Sequence, residues 1–214
     1  IKGASNNKMI PITGLMAIVL KKGVLTLITT DATNTLKVME KDIEGDEFYV
    51  VVQTDIFSKL VDKTTTETIT LTLKDEEGQL IKFPEYKFDD KAEKATINLS
   101  TVKVLLNANK AALAETMEIP CLTGYYFDDT VLTTDSYKVC SNDIKVFPNK
   151  VLLPSELLEL LAIMDEEKIT VQQSGSKILF TTGNVIVYGT ELDGIEDYPA
   201  EAVQAYLETE FKSV

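Results

Sequence analysis

The chain repeats itself. The segment MIPITG at residues 9–14 returns as IPCLTG at residues 119–124, and LITTD at residues 27–31 returns as VLTTD at residues 131–135. The order of the motifs is kept while the spacing between them drifts, as expected where loops accept insertions that core strands do not. The copies lie roughly 100 residues apart, far beyond the roughly 20 to 50 residues of a solenoid unit. The sequence therefore predicts two copies of one domain.

Length and composition are compatible with this duplication. The 214 residues are enough for two domains with separate cores. No apolar run approaches the roughly 20 residues that span a bilayer, so we expect a soluble chain with no membrane partner. The two cysteines, Cys121 and Cys140, follow neither a disulfide framework nor a metal-site spacing. They are typical of free thiols in a reducing cytoplasm, which we predict as the location.

The charge and the missing residue types exclude several functions. With 34 acidic and 21 basic residues, the formal net charge is −13. Tight, sequence-independent binding to DNA needs clustered cations, so any DNA contact must be local or loose. The chain has no histidine, which is the commonest acid–base side chain near neutral pH and the commonest zinc ligand. We expect no metal, no cofactor and no catalytic residue.

The second copy shows the clearer pattern of elements. An alternating strand at 95–99 precedes a helix at 101–114 that Ser100 is predicted to cap. A hairpin of strands at 125–127 and 130–134 follows. A second helix begins after Pro154, with Ser155 as a capping residue. Three further strands are predicted at 169–171, 177–180 and 185–188. This is an α+β pattern, in which sheets and short helices bury one apolar face against each other.

The first copy follows the same order. Its predicted strands are 15–19, 24–30, 48–52, 68–73 and 79–83, with a helix through Ile56 and Leu60. Its opening strand and most of its first helix are predicted to be absent, which indicates a fragment. We predict domains at 1–92 and 93–200, and a linker with the start of a third copy at 201–214. A C-terminal extension packed on the second domain is the alternative for that last segment.

Two segments carry a family resemblance. The chain at VLTTDSYKV, residues 131–139, and at ELDGIEDYP, residues 191–199, resembles the bacterial sliding clamp, the beta subunit of DNA polymerase III. The resemblance implies tandem clamp-type domains, each with antiparallel sheets outside and two short helices on the inner face. It further implies a head-to-tail homodimer that encircles double-stranded DNA without catalytic activity. The implied protein partners are the polymerase III catalytic subunit and the clamp loader.

The resemblance assigns a DNA-facing role to the helices. Lys103, Asn107 and Lys110 fall on one stripe of the helix at 101–114. An ordinary solvated helix face explains the same spacing, and the residues alone do not decide between the two. Acidic side chains at Glu156 and Glu159 argue against a uniformly basic surface. The remaining DNA-binding candidates are the pair on the first-copy helix and one cation in a loop near the ring's rim: Lys59, Lys63 and Lys8.

The resemblance also implies a hydrophobic pocket that binds short peptides of partner proteins. The pocket half that falls in this chain would consist of six residues: Leu122, Thr134, Ser136, Tyr137, Lys138 and Val139. The alternative is that Leu122 and Val139 are core residues flanking a turn. Tyr137 and Lys138 stand where the family commonly has His and Arg. Asp31 and Asp135 end corresponding strands, and we interpret them as residues that bond their own turns rather than as a catalytic pair.

Two functions from different classes remain open. The first is a DNA polymerase processivity factor that encircles duplex DNA and tethers the polymerase. The second is a two-domain binding scaffold, of possible phage derivation, that does not encircle DNA. If two repeats were the natural whole, a ring of three chains would be the geometric option. Both hypotheses predict the same fold, so the fold alone does not separate them.

Overall fold

The structure is a computed structural model that describes residues 10–65, 83, 88–89 and 91–209. Lys8, the predicted strand at 68–73, nearly all of that at 79–83 and residues 210–214 lie outside the described residues. The chain divides into two compact units. The first comprises the described residues up to Phe88 together with Gly183–Tyr188, and the second the described residues of Asp89–Thr182 and those from Gly189 onward. The domain boundaries 1–92, 93–200 and 201–214 stay a prediction.

The first unit is an antiparallel sheet followed by a helix. A 3-10 turn at Pro11–Gly14 leads into the strands, which pair in the order β4-β1-β2-β3. A segment from much later in the chain, Val185–Tyr188, pairs antiparallel with the outer side of β3. The elements are β1 (Leu15–Lys21), β2 (Val24–Thr30), β3 (Thr35–Glu40), β4 (Phe48–Gln53) and α1 (Thr54–Lys63).

The second unit contains two antiparallel sheets and, among its described residues, three α-helices. One sheet has the order β8-β7-β6-β9, and in the other β10 pairs with both β5 and β11. Short 3-10 turns lie at Lys110–Ala112, Pro120–Thr123 and Ile195–Asp197. The elements are β5 (Lys94–Asn98), α2 (Leu99–Asn109), β6 (Gly124–Phe127), β7 (Val131–Thr134), β8 (Val139–Asn142), β9 (Val151–Pro154), α3 (Ser155–Leu161), β10 (Lys168–Ser174), β11 (Lys177–Thr182) and α4 (Ala200–Leu207). One more strand, β12 (Val185–Thr190), belongs to the first unit up to Tyr188 and to the second unit from Gly189.

The two units share one module. In each, a 3-10 turn with proline in its first turn and a threonine near its end precedes four strands, and the strand orders β4-β1-β2-β3 and β9-β6-β7-β8 correspond. The Thr13 hydroxyl donates to the Ile10 carbonyl at 2.8 Å, and the Thr123 hydroxyl donates to the Pro120 carbonyl at the same distance. A helix follows the fourth strand in both, as α1 and α3. The predicted α+β class is confirmed.

Two strands were not predicted, and two predicted helix caps were wrong. The strands at 35–40 and 139–142, β3 and β8, are the ones that were not predicted from the sequence. Residues 35–38, with the sequence TLKV, alternate between polar and apolar residue types, so a short period-2 signal was available there. The α2 cap is Asn98 and not Ser100, since the Asn98 carboxamide oxygen accepts from the Thr101 backbone N–H at 3.2 Å. No side chain caps α3.

The core of the second unit explains why its helices hold their positions. Helix α3 buries every one of its leucines, because residues 157, 158, 160 and 161 lie at spacings that cover one broad face. Phe147 makes edge contacts with Phe127 and Phe180, with ring centroids 4.8 Å and 6.2 Å away. The Tyr125 hydroxyl donates to the Leu106 carbonyl of α2 at 3.0 Å. Sheet and helices are thus joined by apolar packing and by a partly buried hydrogen bond.

Candidate functional site

The turn between β7 and β8 is built by a single carboxylate. Oδ1 of Asp135 accepts from the backbone N–H groups of Tyr137 at 2.9 Å and Lys138 at 2.7 Å. The turn places Ser136 at a φ of +77°, a left-handed conformation that few non-glycine residues adopt. The Thr134 hydroxyl accepts from the Ser136 N–H at 3.1 Å. These bonds compensate for the strained backbone.

The corresponding turn of the first unit has the same construction. Oδ1 of Asp31 accepts from the N–H groups of Thr33 at 2.9 Å and Asn34 at 2.6 Å. Ala32 has a φ of +83°, and its N–H donates to the Thr30 hydroxyl at 3.1 Å. The prediction that both aspartates bond their own turns is confirmed. With their oxygens engaged in this way, both side chains serve the backbone of the turn.

Lys138 fastens the second turn to the 3-10 turn Lys110–Ala112, which follows α2. Its ammonium group lies 2.9 Å from Oδ2 of Asp135 and donates to the Ala111 carbonyl at 2.9 Å. The hydrogen bond from Lys138, followed by the two backbone N–H groups, lowers the pKa of Asp135 to about 2. The same bond raises the pKa of Lys138. The turn therefore holds the intervening Tyr137 away from the protein, with 95% of its surface exposed.

The six predicted pocket residues divide into a buried and an exposed set. Leu122 is only 3% exposed, Thr134 is buried, and Val139 packs against the same apolar cluster as Leu122. Ser136, Tyr137 and Lys138 are exposed on the adjoining turn. Leu122 is therefore buried in the core, next to the exposed turn at residues 135–138.

Sequence reasoning missed the residues that complete this cluster. Tyr198 stacks on Tyr126 with ring centroids 4.8 Å apart, and its hydroxyl donates to the Leu132 carbonyl at 3.2 Å. Ala200 and Val203 of α4 are buried in the same cluster. Their i, i+3 spacing was the available signal for a helix with one apolar stripe. Leu122 and Val139 thus belong to an apolar cluster that the start of α4 covers in part.

The cation stripe on α2 is held largely by neighbouring groups. Lys103 is half-buried and donates to the Met164 backbone carbonyl at 2.7 Å. The Lys110 ammonium lies 3.4 Å from Oε1 of Glu159 on α3, and both side chains are exposed. Asn107 is exposed between them. The structure thus places Lys103 and Asn107 on α2 and Lys110 at the start of the 3-10 turn that continues it. Both lysines are turned toward α3 and the chain that follows it.

The lysines of α1 are more loosely placed. Lys59 lies 3.9 Å from Asp55, one helical turn earlier, and both are largely exposed. Such a pair contributes little to stability. Lys63 is exposed at the end of the helix. Both cations are therefore accessible to solvent.

A groove runs between α2 and the outer strand β8. It has a volume of about 580 Å³. Two apolar side chains at its surface are unusually exposed, Val104 at 67% and Ile144 at 37%. Among the described strands, β8 pairs only with β7, whereas its counterpart β3 pairs on both sides. The lining residues are Ser100, Thr101, Val104, Leu105, Ser141, Asn142, Asp143 and Ile144.

The described part of the chain contains neither a candidate metal site nor a candidate membrane-spanning helix. No group of three or more His, Cys, Asp or Glu side chains there is placed to hold a metal ion. No helix among the described residues is long and apolar enough to cross a membrane.

Comparison with known proteins found likeness in structure alone. No family model matches the sequence, and no curated protein matches it. Among solved structures, the DNA polymerase sliding clamp of Bacillus subtilis has a TM-score of 0.76 and 20% identity over 90% of this chain. The DNA polymerase III beta chain of Streptococcus pneumoniae has a TM-score of 0.80 and 20% identity over 98%. The beta subunit of Thermotoga maritima has a TM-score of 0.74 and 18% identity over 90%.

The chain spans 60% to 64% of the length of these three proteins. The match extends across both compact units, since it covers at least 90% of the chain. The resemblance inferred from residues 131–139 and 191–199 is confirmed in the fold. The chain therefore has the fold of the bacterial sliding clamps, the beta subunit of DNA polymerase III.

Proposed function

We propose that this chain is part of a processivity factor, a ring that encircles duplex DNA and tethers the replicative polymerase without chemistry of its own. The observation that carries the proposal is the unequal pairing of two equivalent strands. In the first unit β3 receives a strand from the second repeat, Val185–Tyr188. In the second unit the equivalent strand β8 is the outer strand of its sheet among the described strands. A strand equivalent to β12, supplied by a further domain, would pair there.

Repetition of this pairing joins domains edge to edge. Strand addition to an open edge gives affinity through main-chain hydrogen bonds and specificity through side-chain pockets. The groove beside β8, with exposed Val104 and Ile144, supplies the apolar contact for the incoming domain. Closed assemblies arise when a head-to-tail interface repeats through a rotation that closes. We therefore propose a closed ring, formed as a head-to-tail homodimer by the complete protein.

Weak contact with DNA is compatible with such a ring. A protein of net charge −13 does not bind phosphates strongly over its whole surface, and a ring that holds DNA by topology has no need to. We propose that the cations of α1 and α2 face the DNA and that the exposed ones contact it loosely. The proposed DNA-facing residues are Lys59, Lys63, Lys103, Asn107 and Lys110, together with Lys8.

The partner site is proposed at the β7–β8 turn. Leu122 and Val139 supply the apolar floor, and the exposed turn supplies polar groups and the Tyr137 ring. Peptide sites of this kind depend on a few anchoring side chains. The remaining proposed contacts are Thr134, Ser136 and Lys138. The polymerase III catalytic subunit and the clamp loader are the proposed partners, in the cytoplasm, with no cofactor.

The proposal predicts retention on circular DNA. The complete protein, loaded onto nicked circular plasmid, should remain bound through gel filtration and should dissociate when the plasmid is linearised. A Val104→Asp variant should lose retention, because it places a charge at the proposed domain contact. Met117→Asp is the matched control, since Met117 is also 67% exposed and lies outside the groove lining. Equal dissociation of the unmodified protein from circular and linear plasmid would refute the ring.

A two-domain binding scaffold is the second candidate. The observation that favours it is that Glu159 neutralises Lys110. Lys103, whose acceptor is a neutral backbone carbonyl, is then the one uncompensated cation of the described stripe. A complete protein that stays monomeric in light scattering, binds partner peptides and shows no retention on circles would establish the scaffold in place of the clamp.

A further inference from the structure

We propose that Glu159 acts as an electrostatic brake: it cancels the charge of Lys110 and so weakens the attraction of the α2–α3 face for DNA. The inference rests on the proposed function, because it takes that face to be the one near the DNA. Glu159 is one of the two acidic residues of α3 that make this surface less than uniformly basic. The role concerns how tightly the ring holds DNA, not whether it encloses it.

The pair has the geometry that this role requires. The Lys110 ammonium lies 3.4 Å from Oε1 of Glu159, across the contact between α2 and α3. The lysine side chain is 70% exposed and the glutamate side chain 62%. Because both are in contact with solvent, either group can be released without opening the core. A phosphate approaching this face meets a neutralised pair and not a free cation.

The other lysine of the stripe is held differently. Lys103 donates to a backbone carbonyl, that of Met164, at 2.7 Å. A carbonyl positions the ammonium group but carries no net charge, so this contact does not cancel the cation. The two lysines of one stripe thus differ in the charge of their acceptor. Removing a negative charge from α3 should therefore affect Lys110 more than Lys103.

The field of Glu159 reaches beyond its partner. After burial, the charge of Glu159 is the second cause that raises the pKa of Tyr125 to about 12. Glu156 is also exposed on α3 but forms no ion pair among the described residues. Three further acidic residues, 165–167, are exposed after α3. The face is thus acidic in general, while Glu159 alone of these residues is paired with a candidate DNA-facing lysine.

A purely structural link between two helices is the competing explanation. An exposed ion pair contributes little to stability, and its loss should leave the melting temperature nearly unchanged. The two explanations differ in their effect on DNA. A structural link predicts no change in the salt dependence of binding, whereas a freed lysine adds one phosphate contact and steepens that dependence.

The test is the binding of the full chain to a short fluorescent duplex, measured by anisotropy between about 50 and 200 mM salt. Glu159→Gln keeps the shape of the side chain and removes its charge. Glu156→Gln removes the same charge from the same helix and is the matched control. The double variant Glu159→Gln with Lys110→Ala removes the cation that the first change frees. Thermal melts of all variants check that each remains folded.

We expect Glu159→Gln to bind about two- to five-fold more tightly at low salt, with a slope of log K against log salt that is steeper by about 0.9. Glu156→Gln should leave the slope unchanged, and the double variant should return it to that of the unmodified chain. Equal effects of the two glutamine variants would overturn the inference, because net charge alone would then explain them. Absence of duplex binding by Glu159→Gln would overturn it as well. Retention of the unmodified complete protein on circular plasmid tests the proposed function separately.

Discussion

Replacement of Gly189 by alanine should disrupt the packing of α3. Gly189 is buried in β12, and a Cβ at this position would overlap both Cδ atoms of Leu157 and lie 2.9 Å from its Cγ. Leu157 is completely buried, and its helix also buries Leu158 and Leu161 completely. Ordinary carbon contacts lie at about 3.5 to 4.0 Å, so the leucine would have to move by roughly 1 Å. Since its neighbours on α3 are fixed in the same core, the helix has little room to follow.

The cost follows from the overpacking of a dense core. Insertion of a methyl group into such a site destabilises by about 1 to 3 kcal/mol, and we expect the upper half of that range. In a chain of this size each kcal/mol lowers the melting temperature by about 2 to 4 °C. Leu157→Ala alone should cost about 2 to 5 kcal/mol, because it leaves a cavity. In the double variant the new methyl group occupies part of that cavity, so the two costs should not add.

The assay is urea unfolding followed by far-UV circular dichroism, since the chain has no tryptophan. Gly183→Ala is the control, because Gly183 is exposed and its added Cβ would meet no atom within 4 Å. It should change stability by less than about 0.5 kcal/mol. Two results would refute the reasoning. One is a Gly189→Ala variant as stable as the control, and the other is a double variant whose destabilisation equals the sum of the single ones within about 0.5 kcal/mol.

Two further predictions concern the β7–β8 turn and the cluster beside it. Asp135→Asn should reduce the loss of stability in acid. The hydrogen bonds from Lys138 and from the turn N–H groups lower the pKa of Asp135 from 3.8 to about 2. The carboxylate therefore contributes to the free energy of unfolding above about pH 4, and this contribution disappears as the pH falls through about 2. Unfolding curves between pH 7 and pH 2 check this, and parallel acid losses in the two proteins would contradict it. Tyr198→Phe should destabilise by about 1 to 2 kcal/mol, because it leaves the buried Leu132 carbonyl without the donor now 3.2 Å away. Thermal unfolding measures that change, and an unchanged melting temperature would show that the carbonyl does not depend on this donor.

The parts of the fold that were predictable from sequence are those with local causes. The carboxylates of Asp31 and Asp135 accept from N–H groups two and three residues later, so the turn motif contains its own partners. The leucines of α3 are likewise spaced so that they share one face, and this spacing alone predicts that they are buried together. Such motifs determine their structure within one turn, and they return in the same order in both copies. They sufficed for the α+β class and for the resemblance to sliding clamps.

The parts that were missed have distant causes. Lys103 meets its acceptor 61 residues later in the chain, and Lys110 meets Glu159 49 residues later. A stripe of cations on a helix does not reveal whether those cations are free, because their partners depend on how two helices pack. What α4 packs against has a distant cause too, since Val203 shares a buried cluster with Leu122 and Leu132, some 70 to 80 positions earlier.

The aspartate turn, which is easily predicted from sequence, fixes the register of the strand that follows it, which is not. The Asp31 turn is closed by the pair Thr30 and Thr35, and the Asp135 turn by the pair Thr134 and Val139. In both units the strand that follows the turn, β3 or β8, is one that was not predicted from the sequence. Because a shift of one residue would turn every side chain of that strand to the opposite face, the aspartate sets which groups the strand presents at its outer edge. In the first unit that edge pairs with Val185–Tyr188. If the outer edge of β8 pairs with a further domain in the same way, the Asp135 turn also fixes the register of that pairing between domains.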